Sequence, residues 1–441
     1  MKKLLILFII LVSGLSPLAK ADTTTEERII ILSDVWRNVR ENFAFPEHFA
    51  CSNPDSLFEA FVPKVLHADS EKEFANLMTE FLAKFKDGHT RFFAVAPSGT
   101  LPIKFIGIEG KAIVKNIETA YAKEIPVGSQ LIKIDGTPIE EYLVTYVYPY
   151  VAAPNGDWLF RKSLESFLEG DIASEVTLEF ITPKGKNKSA TFHRVNSNGI
   201  DSCDWAKQED NRVAYVECLP NNISYMKMAI FTNPQETKKV FFDNLHLFQS
   251  CNGLIFDIRG NRGGSDEGWD PVFDYVAPND VDKQSSFAAK CRVANSAFQE
   301  YGDKIPQLKS FADGTAMEQV RSGSYFSQIP DSLKIKCPII LLIDGYTGSA
   351  AEDYAVTMKN LGLAKLVGTH TVGVISHPRY YDLPKGYSYG LSTWAFTNPD
   401  GSSLIDNGII PDVEVEYTLD DFIRGKDSQL DRARLLLQKK Y

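Results

Sequence analysis

The first part of the chain has the hydrophobic pattern of α-helices. Apolar residues recur every three or four positions in segments such as EERIIILSDVWRNVRENF and EKEFANLMTEFLAKF, which places them on one helix face. In the first segment this face carries Ile29, Leu32, Trp36, Val39 and Phe43. The helical pattern ends in KDGHTRFF, where Asp87 and Gly88 are typical of a tight turn. The sequence therefore predicts an N-terminal helical region, residues 22–93, that ends in a hairpin in which His89 opens a strand.

The pattern changes to that of β-strands near residue 94. The segments IKFIGIEG, KAIVKNI, SQLIKIDG and EVTLEFITPKG are rich in β-branched and apolar residues and are bounded by turn residues. One helical stretch, GDWLFRKSLESFLEG, interrupts them. This pattern predicts a small β-rich domain over residues 94–195.

The remaining residues, 196–441, alternate between strand and helix patterns. YMKMAIF, GLIFDIRG and PIILLID are short apolar runs typical of buried strands, while QETKKVFFDNLHLFQSC and SAAEDYAVTMKNL have helical spacing. Such alternation is typical of an α/β sheet with parallel strands. The sequence therefore predicts an α/β core as the third region.

The N-terminus has the features of a secretory signal peptide. Lys2 and Lys3 precede an apolar run over residues 4–12, and an A-x-A cleavage site follows at residues 19–21. No later segment approaches the roughly 18 uninterrupted apolar residues of a spanning helix. We therefore predict that residues 1–21 are removed and that the exported protein is periplasmic or extracellular and soluble, with no integral membrane segment.

Charge and cysteine content exclude some classes of partner. The chain has 57 acidic against 47 basic residues, a net charge of −10, which argues against nucleic acid. Its six cysteines are sparse and lack C-x-x-C spacing, so neither a zinc site nor another cofactor is predicted. An exported protein can form disulfides, but their pairing does not follow from the sequence. Cys218, Cys251 and Cys337 lie in or beside apolar runs and are expected to pack as small hydrophobic side chains.

One serine lies where a core strand gives way to a helix. The run CPIILLID is followed by YTGSAAEDYA, which places Ser349 at the junction. Serine is among the preferred helix N-caps, so a capping role alone would explain it. A strand-to-helix turn is also where some hydrolases hold their nucleophile, although no G-x-S-x-G motif occurs here. The local sequence leaves both interpretations open.

A second candidate feature is the glycine-rich stretch GLIFDIRGNRGGSDEG. A buried strand ends at Asp257 and Arg259, and Gly263 and Gly264 follow. The stretch fits a tight turn with a buried ion pair, and it equally fits an oxyanion hole, because glycines allow backbone N–H groups to approach a ligand closely. Ligands of α/β sheets bind beyond the carboxyl ends of the strands, where this turn and Ser349 would face each other.

A hydroxyl nucleophile needs a base, and three histidines are candidates. They are His89, His370 and His377, whereas the other four histidines lie in surface-like or helical contexts. We also expect Asp257, Arg259 and Glu352 to form a buried polar network that supports the turn and the helix, since a buried arginine needs a carboxylate partner.

Four motifs together resemble those of the C-terminal processing (tail-specific) serine peptidases, including the tricorn-core branch. They are GLIFDIRGNRGG, YTGSAAE, LVGTHTVG and NGIIPDVEV, in that order. The resemblance implies an α/β core with a crotonase/ClpP-like sheet and makes Ser349 the nucleophile. It also implies an oxyanion hole formed by the N–H of Ala350 and that of Gly263 or Gly264.

The family has two kinds of base. One branch uses a lysine after a T-x-G motif, but THTVGVI has Val374 at that position. The tricorn-like branch uses a histidine in a D-x-H-T motif, which KDGHT supplies as His89. That branch also has an acid before the G-[IV]-x-P-D motif, for which Asp406 is the nearest residue here. The resemblance therefore implies His89 as general base and Asp406 as the acid that orients it.

The middle region resembles a PDZ domain through VGSQLIKIDGTPIEEYL. PDZ domains bind extended peptide ends by strand addition, although a purely structural β-module remains an alternative.

Taken together, the resemblance implies a serine endopeptidase that acts on extracytoplasmic polypeptides through an acyl-enzyme on Ser349. The alternative is a catalytically inactive protein that binds a peptide or another ligand on the same scaffold.

Overall fold

The computed structural model describes residues 22–94, 98–293, 305–320, 323–405 and 407–438 of the chain. The predicted signal peptide, residues 1–21, and Asp406 lie outside the described residues. None of the helices within these ranges combines the length and the apolar character that crossing a bilayer requires.

Three helices form the N-terminal region, and each begins at a side chain that caps it. Thr24 accepts the N–H of Glu27 while the Glu27 carboxylate accepts the N–H of Thr24, which is a capping box. Asn53 and Ser70 accept backbone N–H groups at the starts of the next two helices. The elements are α1 Thr25–Asn42, α2 Pro54–Leu66, α3 Glu71–Ala83 and the short strand β1 Arg91–Phe93. The predicted N-terminal helices are therefore confirmed.

The middle of the chain forms a sheet of its own with two short helices. The elements are β2 Gly99–Thr100, β3 Ile103–Ile108, β4 Lys111–Ile117, β5 Gln130–Ile134, β6 Thr137–Pro138, α4 Ile139–Tyr142, α5 Gly156–Ser163, β7 Glu175–Ile181, β8 Asn187–His193 and β9 Val195–Asn196. Antiparallel pairing orders the sheet β3–β4–β5–β7–β8, with β6 beside β5. In β7, Val176, Leu178 and Phe180 are buried in one hydrophobic cluster, which gives the period of two that a half-buried strand requires.

The rest of the chain alternates strands and helices. In chain order these elements are β10 Ala214–Leu219, β11 Ile223–Met228, α6 Pro234–Asp243, α7 Leu245–Ser250, β12 Gly253–Asp257, α8 Asp270–Val276, β13 Ala288–Arg292, α9 Lys309–Ala312, β14 Met317–Val320, β15 Ile339–Ile343, α10 Ala350–Asn360, β16 Lys365–Gly368, β17 Ser376–Asp382, β18 Ser388–Thr397, β19 Val413–Glu414, α11 Leu419–Arg424 and α12 Ser428–Gln438. The central sheet has the order β10–β11–β12–β15–β16–β19 and is parallel except for β10. Strands β12 and β15 are buried along their whole length, so the predicted parallel α/β sheet is confirmed.

A second, antiparallel sheet joins the N-terminal region to the core. Its order is β1–β18–β13–β14, with β17 also paired to β18. The predicted hairpin at His89 is therefore wrong, because His89 lies in the turn before β1 and β1 pairs with β18. The physical reason is an open stretch on one edge of β18. β17 pairs along the other edge, and β13 pairs only with residues 394–397, so residues 388–390 are available to pair with β1.

One hydrophobic core spans the N-terminal helices and the α/β core. The same cluster of buried side chains contains Leu32 of α1, Phe81 of α3, Leu341 of β15 and Tyr354 of α10. Burial of this much apolar surface fixes the two regions against each other. His89 follows α3 directly, so the fold holds it at the junction between them.

Candidate active site

Ser349 lies in a strained turn between β15 and α10. It occupies the N-cap position of α10 with φ of 57° and ψ of −131°, a region of positive φ that non-glycine residues rarely adopt. Its backbone N–H donates to Glu352 Oε2 at 3.0 Å, which holds the turn against the first turn of the helix. This geometry is that of a strand-to-helix elbow, the position that holds an exposed nucleophile in other hydrolases.

The loop before the elbow is fixed by one carboxylate. Asp344 Oδ1 accepts the N–H of Tyr346 at 3.0 Å and the N–H of Gly260 at 2.8 Å. The N–H of Gly348 donates to the carbonyl oxygen of Asn261 at 2.9 Å. Residues 344–348 are therefore bonded to the glycine-rich turn that follows β12, and the two loops are positioned together.

Close contacts require glycine at two positions of this turn, one against Ser349 and the other against Phe231. Gly263 has φ of 89°, and a Cβ added there would lie 2.7 Å from Ser349 Cβ and 2.8 Å from the backbone nitrogen of Ala350. Gly264 has φ of 138°, and a Cβ there would collide with the backbone of Phe231. Only glycine allows these two approaches, so the structure brings Gly263 to Ser349 and Ala350, and it packs Gly264 on the backbone of Phe231.

The hydrogen bonds of the turn distinguish its two glycine N–H groups. The N–H of Gly263 donates to Asn261 Oδ1 at 2.8 Å and is therefore occupied. In the described part of the chain, neither the N–H of Gly264 nor that of Ala350 takes part in a hydrogen bond. Of the three N–H groups proposed for an oxyanion hole, those of Gly264 and Ala350 are therefore left to bind an acceptor.

Glu352 is the hub of a buried network around the elbow. Its fully buried carboxylate accepts hydrogen bonds from the Thr371 hydroxyl at 2.6 Å and from the N–H groups of Gly373 at 2.7 Å and Val374 at 2.9 Å, besides that of Ser349. Burial raises the pKa of Glu352 to about 7, and these hydrogen bonds oppose the rise. The network fixes residues 371–374 against the start of α10.

Asp257 and Arg259 form a different network, so the prediction that they share one with Glu352 is wrong. Arg259 contacts Asp257 at 2.6 Å and Asp427 at 2.7 Å, and Lys227 contacts Asp257 at 3.1 Å. Burial alone would raise the pKa of Asp257, but the positive charges of Arg259 and Lys227 hold it well below its ordinary value. The pair ties the end of β12 to the segment before α12, whereas the Glu352 carboxylate is saturated by its own four donors.

His89 is the start of a chain of hydrogen bonds that ends at a carboxylate. Its Nδ1 lies 2.9 Å from the Ser376 hydroxyl, which lies 2.7 Å from the Ser392 hydroxyl. Ser392 in turn donates to Asp87 Oδ2 at 2.6 Å, and Thr90 donates to the same oxygen at 2.6 Å. The turn that carries His89 is thus bonded to strands β17 and β18.

In the described residues, Asp87 is the carboxylate that hydroxyl groups connect to His89. The predicted acid, Asp406, lies outside them, so that prediction remains a prediction. Sequence reasoning did not identify Asp87, Ser376 or Ser392 as site residues. The signal for Asp87 was present in KDGHT, two residues before His89, whereas nothing in the sequence distinguishes the two serines from others on strands.

Val374 joins the surroundings of His89 to those of Ser349. A Cβ added to Gly88 would lie 2.5 Å from Val374 Cγ1, and one added to Gly348 would lie 3.2 Å from Val374 Cγ2. The residues just before His89 and Ser349 therefore pack on the two methyl groups of one side chain. No hydrogen bond joins the two side chains themselves in the described part of the chain, and catalytic hydrogen bonds often form only with bound substrate.

The other two candidate histidines have different surroundings. His370 Nδ1 lies 3.0 Å from the carbonyl oxygen of Thr371, and its side chain is partly exposed. His377 packs on Trp394 with 5.5 Å between ring centroids. Burial is the main cause that lowers the pKa of His89, and a positive charge on the nearby His377 acts in the same direction. His370 Nε2 lies 3.9 Å from the Asp157 carboxylate, but neither histidine is connected to a carboxylate through hydroxyl groups among the described contacts.

A cavity of about 620 Å³ opens between the middle region, the central sheet and the segment containing α11 and α12. Its walls include Ile106 of β3, Tyr346 of the elbow loop and Asp427. Residues of the elbow loop and of the glycine-rich turn line it, whereas Ser349 and His89 do not.

The edge strand of the middle region contacts the elbow loop directly. The N–H of Gly107 in β3 donates to the Tyr346 hydroxyl at 2.9 Å, and Arg161 of α5 donates to the Gly107 carbonyl at 3.0 Å. Arg161 and Arg262 both stand over the Tyr346 ring, at 5.1 Å and 5.3 Å from its centroid. The middle region is thus connected to both loops that surround Ser349.

Two family models match the chain. Residues 222–415 match the model of peptidase family S41, and residues 24–83 match that of the tricorn protease C1 domain. The chain is 36% identical over 104 residues to the tricorn protease of Thermoplasma acidophilum, a match that covers 22% of the chain and 9% of that protein. It is 22% identical over 429 residues to the chloroplastic C-terminal processing peptidase of Tetradesmus obliquus, covering 90% of the chain and 79% of that relative.

Among solved structures, that of mature CPAF complexed with lactacystin has a TM-score of 0.72 with the chain at 15% identity, covering 94% of the chain and 98% of CPAF. At this identity the comparison shows a shared fold. The match spans only 9% of the length of the Thermoplasma acidophilum tricorn protease and 34% of the length of the tricorn protease homolog of Saccharolobus solfataricus.

Proposed function

Because the chain belongs to peptidase family S41, a family of serine peptidases, we propose that it is a secreted or periplasmic endopeptidase that hydrolyses peptide bonds of extracytoplasmic polypeptides. One observation carries the proposal. Ser349, in its strained turn, is packed against Gly263, while His89 and Ser349 each follow a glycine that packs on Val374. A binding protein has no need for this arrangement of nucleophile, base and free N–H groups.

In this mechanism the Ser349 hydroxyl attacks the carbonyl carbon of the scissile bond as His89 Nε2 takes its proton. The N–H groups of Gly264 and Ala350 donate to the oxyanion that forms, because the third candidate donor, the N–H of Gly263, is already bonded to Asn261. The protonated His89 then gives its proton to the leaving amine, and an acyl-enzyme remains on Ser349. Water, activated by His89, hydrolyses the ester and restores the hydroxyl.

The chain of hydroxyls supports the tautomer that this step needs. A carboxylate can only accept, so Ser392 uses its single proton on Asp87. Ser376 must then donate its own proton to Ser392, which leaves His89 Nδ1–H to donate to Ser376. Nε2 is consequently unprotonated and able to act as the base. Asp87 would thus be a positioning residue that acts through two hydroxyl groups.

We expect Asp87→Asn to lower kcat by about 10–100-fold with little change in KM, because the amide no longer fixes the direction of the hydrogen-bond chain. Burial is the largest influence on His89 and lowers the pKa of its imidazole, while the Asp87 charge raises that pKa. The unprotonated imidazole is the active form, so the wild-type acid limb should lie below the ordinary pH of about 6.5. In the variant this limb should move to still lower pH, since the opposing charge is gone.

The pH profile of kcat/KM and the value of kcat test this role together. The matched control is Asp382→Asn, the same chemical change at the exposed end of β17, which should leave both unchanged. A lower rate without any displacement of the acid limb would show that Asp87 only stabilises the turn.

We further propose that polypeptide substrates approach through the cavity beside β3, with the middle region acting as a PDZ-like domain. The support is the contact of β3 with Tyr346, three residues before Ser349, and with Arg161. A strand added at this edge would compete with these two contacts to Gly107.

The proposed activity is tested with the full chain after signal removal. It is incubated with an unfolded protein substrate, and with a fluorophosphonate that labels activated serines. Internal cleavage together with a single label on the peptide containing Ser349 is the expected result. A folded protein that binds the polypeptide but neither cleaves it nor takes the label would be the inactive binding protein instead.

A further inference from the structure

We propose that Cys251 and Cys337 form an intramolecular disulfide, which closes the end of the central sheet opposite the catalytic loops. The inference rests on the proposed export of the protein, because disulfides persist in oxidising compartments outside the cytoplasm. It concerns a bond that lies away from Ser349 and takes no part in peptide hydrolysis.

The two sulfur atoms already lie in contact. Their Sγ atoms are 3.2 Å apart, and 86 positions separate the two residues along the chain. A disulfide bond is about 2.0 Å long, so a small side-chain rotation brings the sulfurs to bonding distance. Among the described residues, no other two cysteines have sulfur atoms in contact.

The backbone geometry favours the bond. Cys251 and Cys337 each lie two positions before the first residue of β12 and β15, two neighbouring parallel strands in which Leu254 lies opposite Ile339. The N–H of Leu254 donates to the carbonyl oxygen of Pro338 at 3.0 Å, which fixes the entry of both strands. Neighbouring strands are about 4.8 Å apart, within the usual separation of disulfide-bonded residues. The bond would therefore form without moving the sheet.

The thiols differ in reactivity. The contact between the two thiols, in which either sulfur can be the donor, lowers the pKa of Cys251 to about 6 in spite of burial, while it raises the pKa of Cys337. Cys251 is consequently the better thiolate nucleophile of the two. Both side chains are only partly buried, so a disulfide-exchange partner can reach them.

The oxidation follows thiol–disulfide exchange with an oxidised dithiol protein or a small disulfide. The Cys251 thiolate attacks one sulfur of the oxidant, which releases the other sulfur as a thiolate. Cys337 gives its proton to that thiolate and attacks Cys251 Sγ, which breaks the mixed disulfide. The second thiolate of the oxidant takes up the proton that Cys251 released, so the chain loses two protons and two electrons, and the oxidant gains them as two thiols.

The position of the bond predicts its effect. Ser349 follows the carboxyl end of β15, whereas Cys337 precedes its amino end. The bond would restrict the unfolded chain over a loop of 86 positions and leave the site untouched. We therefore expect reduction to lower Tm by about 5 °C while kcat changes less than about twofold.

The test uses the full chain after signal removal, equilibrated with oxidised glutathione and then digested without reductant. Mass spectrometry should find the peptides of Cys251 and Cys337 joined, and thiol titration should find two fewer free thiols than the six cysteines of the sequence. The double variant C251S/C337S should have a Tm that no longer responds to reductant. The matched control is Cys218→Ser, which should keep the response. Cys218 is exposed, so the expectation that it packs as a small hydrophobic side chain is wrong.

Six free thiols after this oxidation, or Cys337 joined to another cysteine, would overturn the proposal, and neither result depends on the folding of a variant. Peptide hydrolysis is measured on the same samples. An active peptidase with six free thiols would refute only the disulfide proposal. A disulfide-bonded protein without peptidase activity would refute only the proposed function.

Discussion

The Ser349→Ala variant is expected to lose at least about 10⁴-fold in kcat, because no other group can form the acyl-enzyme. Its fold should survive. Alanine keeps the Cβ that packs against Gly263 and the N–H that donates to Glu352, and the strained backbone conformation costs alanine much the same as serine. The measurements are cleavage of an unfolded protein, labelling by a fluorophosphonate, and Tm.

The matched control is Ser265→Ala, which removes a hydroxyl from the same glycine-rich turn. Ser265 accepts the N–H of Glu267 and has no role in the proposed chemistry, so its loss should change kcat less than about threefold. Undiminished hydrolysis by the Ser349 variant, with the wild-type Tm, would mean that another residue is the nucleophile. If the variant loses activity and its Tm also falls by many degrees, the residue that the fluorophosphonate labels in the wild-type chain identifies the nucleophile.

The parts of the fold that sequence analysis predicted depend on local patterns. β12 and β15 are short apolar runs bounded by turn residues, and α10 has helical spacing directly after the elbow. The secondary structure of such runs follows from the pattern of apolar and turn residues within a few positions of each other, so it can be predicted locally. The positions of Ser349 and Gly263 at the carboxyl ends of neighbouring strands followed in the same way.

The features that the sequence did not predict depend on contacts between distant segments. His89 and Ser376 are separated by 287 positions, and nothing local indicates that β1 would pair with β18 rather than form a hairpin. The choice between Gly263 and Gly264 likewise required an account of which N–H groups are already bonded. Glu352 was assigned to the wrong network because charge alone does not show that backbone N–H groups, and not Arg259, are its partners.

The His89→Ala variant is expected to lose at least about 10³-fold in kcat, because Ser349 would have no base to take its proton. The loss should lie in kcat and not in KM, since His89 acts on the nucleophile and does not hold the substrate. Steady-state kinetics of peptide cleavage measure both values, and the alanine leaves the hydroxyl chain from Ser376 to Asp87 in place.

Three alanine variants distinguish this mechanism from its alternatives. Lys365→Ala and Lys385→Ala test for a lysine base, and His370→Ala tests the other histidine near the elbow; each should retain more than about half of the activity. Lys385 pairs with Glu27 on α1 at 3.5 Å, which makes it a contact of the N-terminal region. The position after T-x-G, where a lysine base would stand, holds Val374, packed between the glycines that precede His89 and Ser349. An inactive Lys385 variant beside an active His89 variant would therefore require a lysine to reach Ser349 through this packed side chain, and would refute the histidine mechanism.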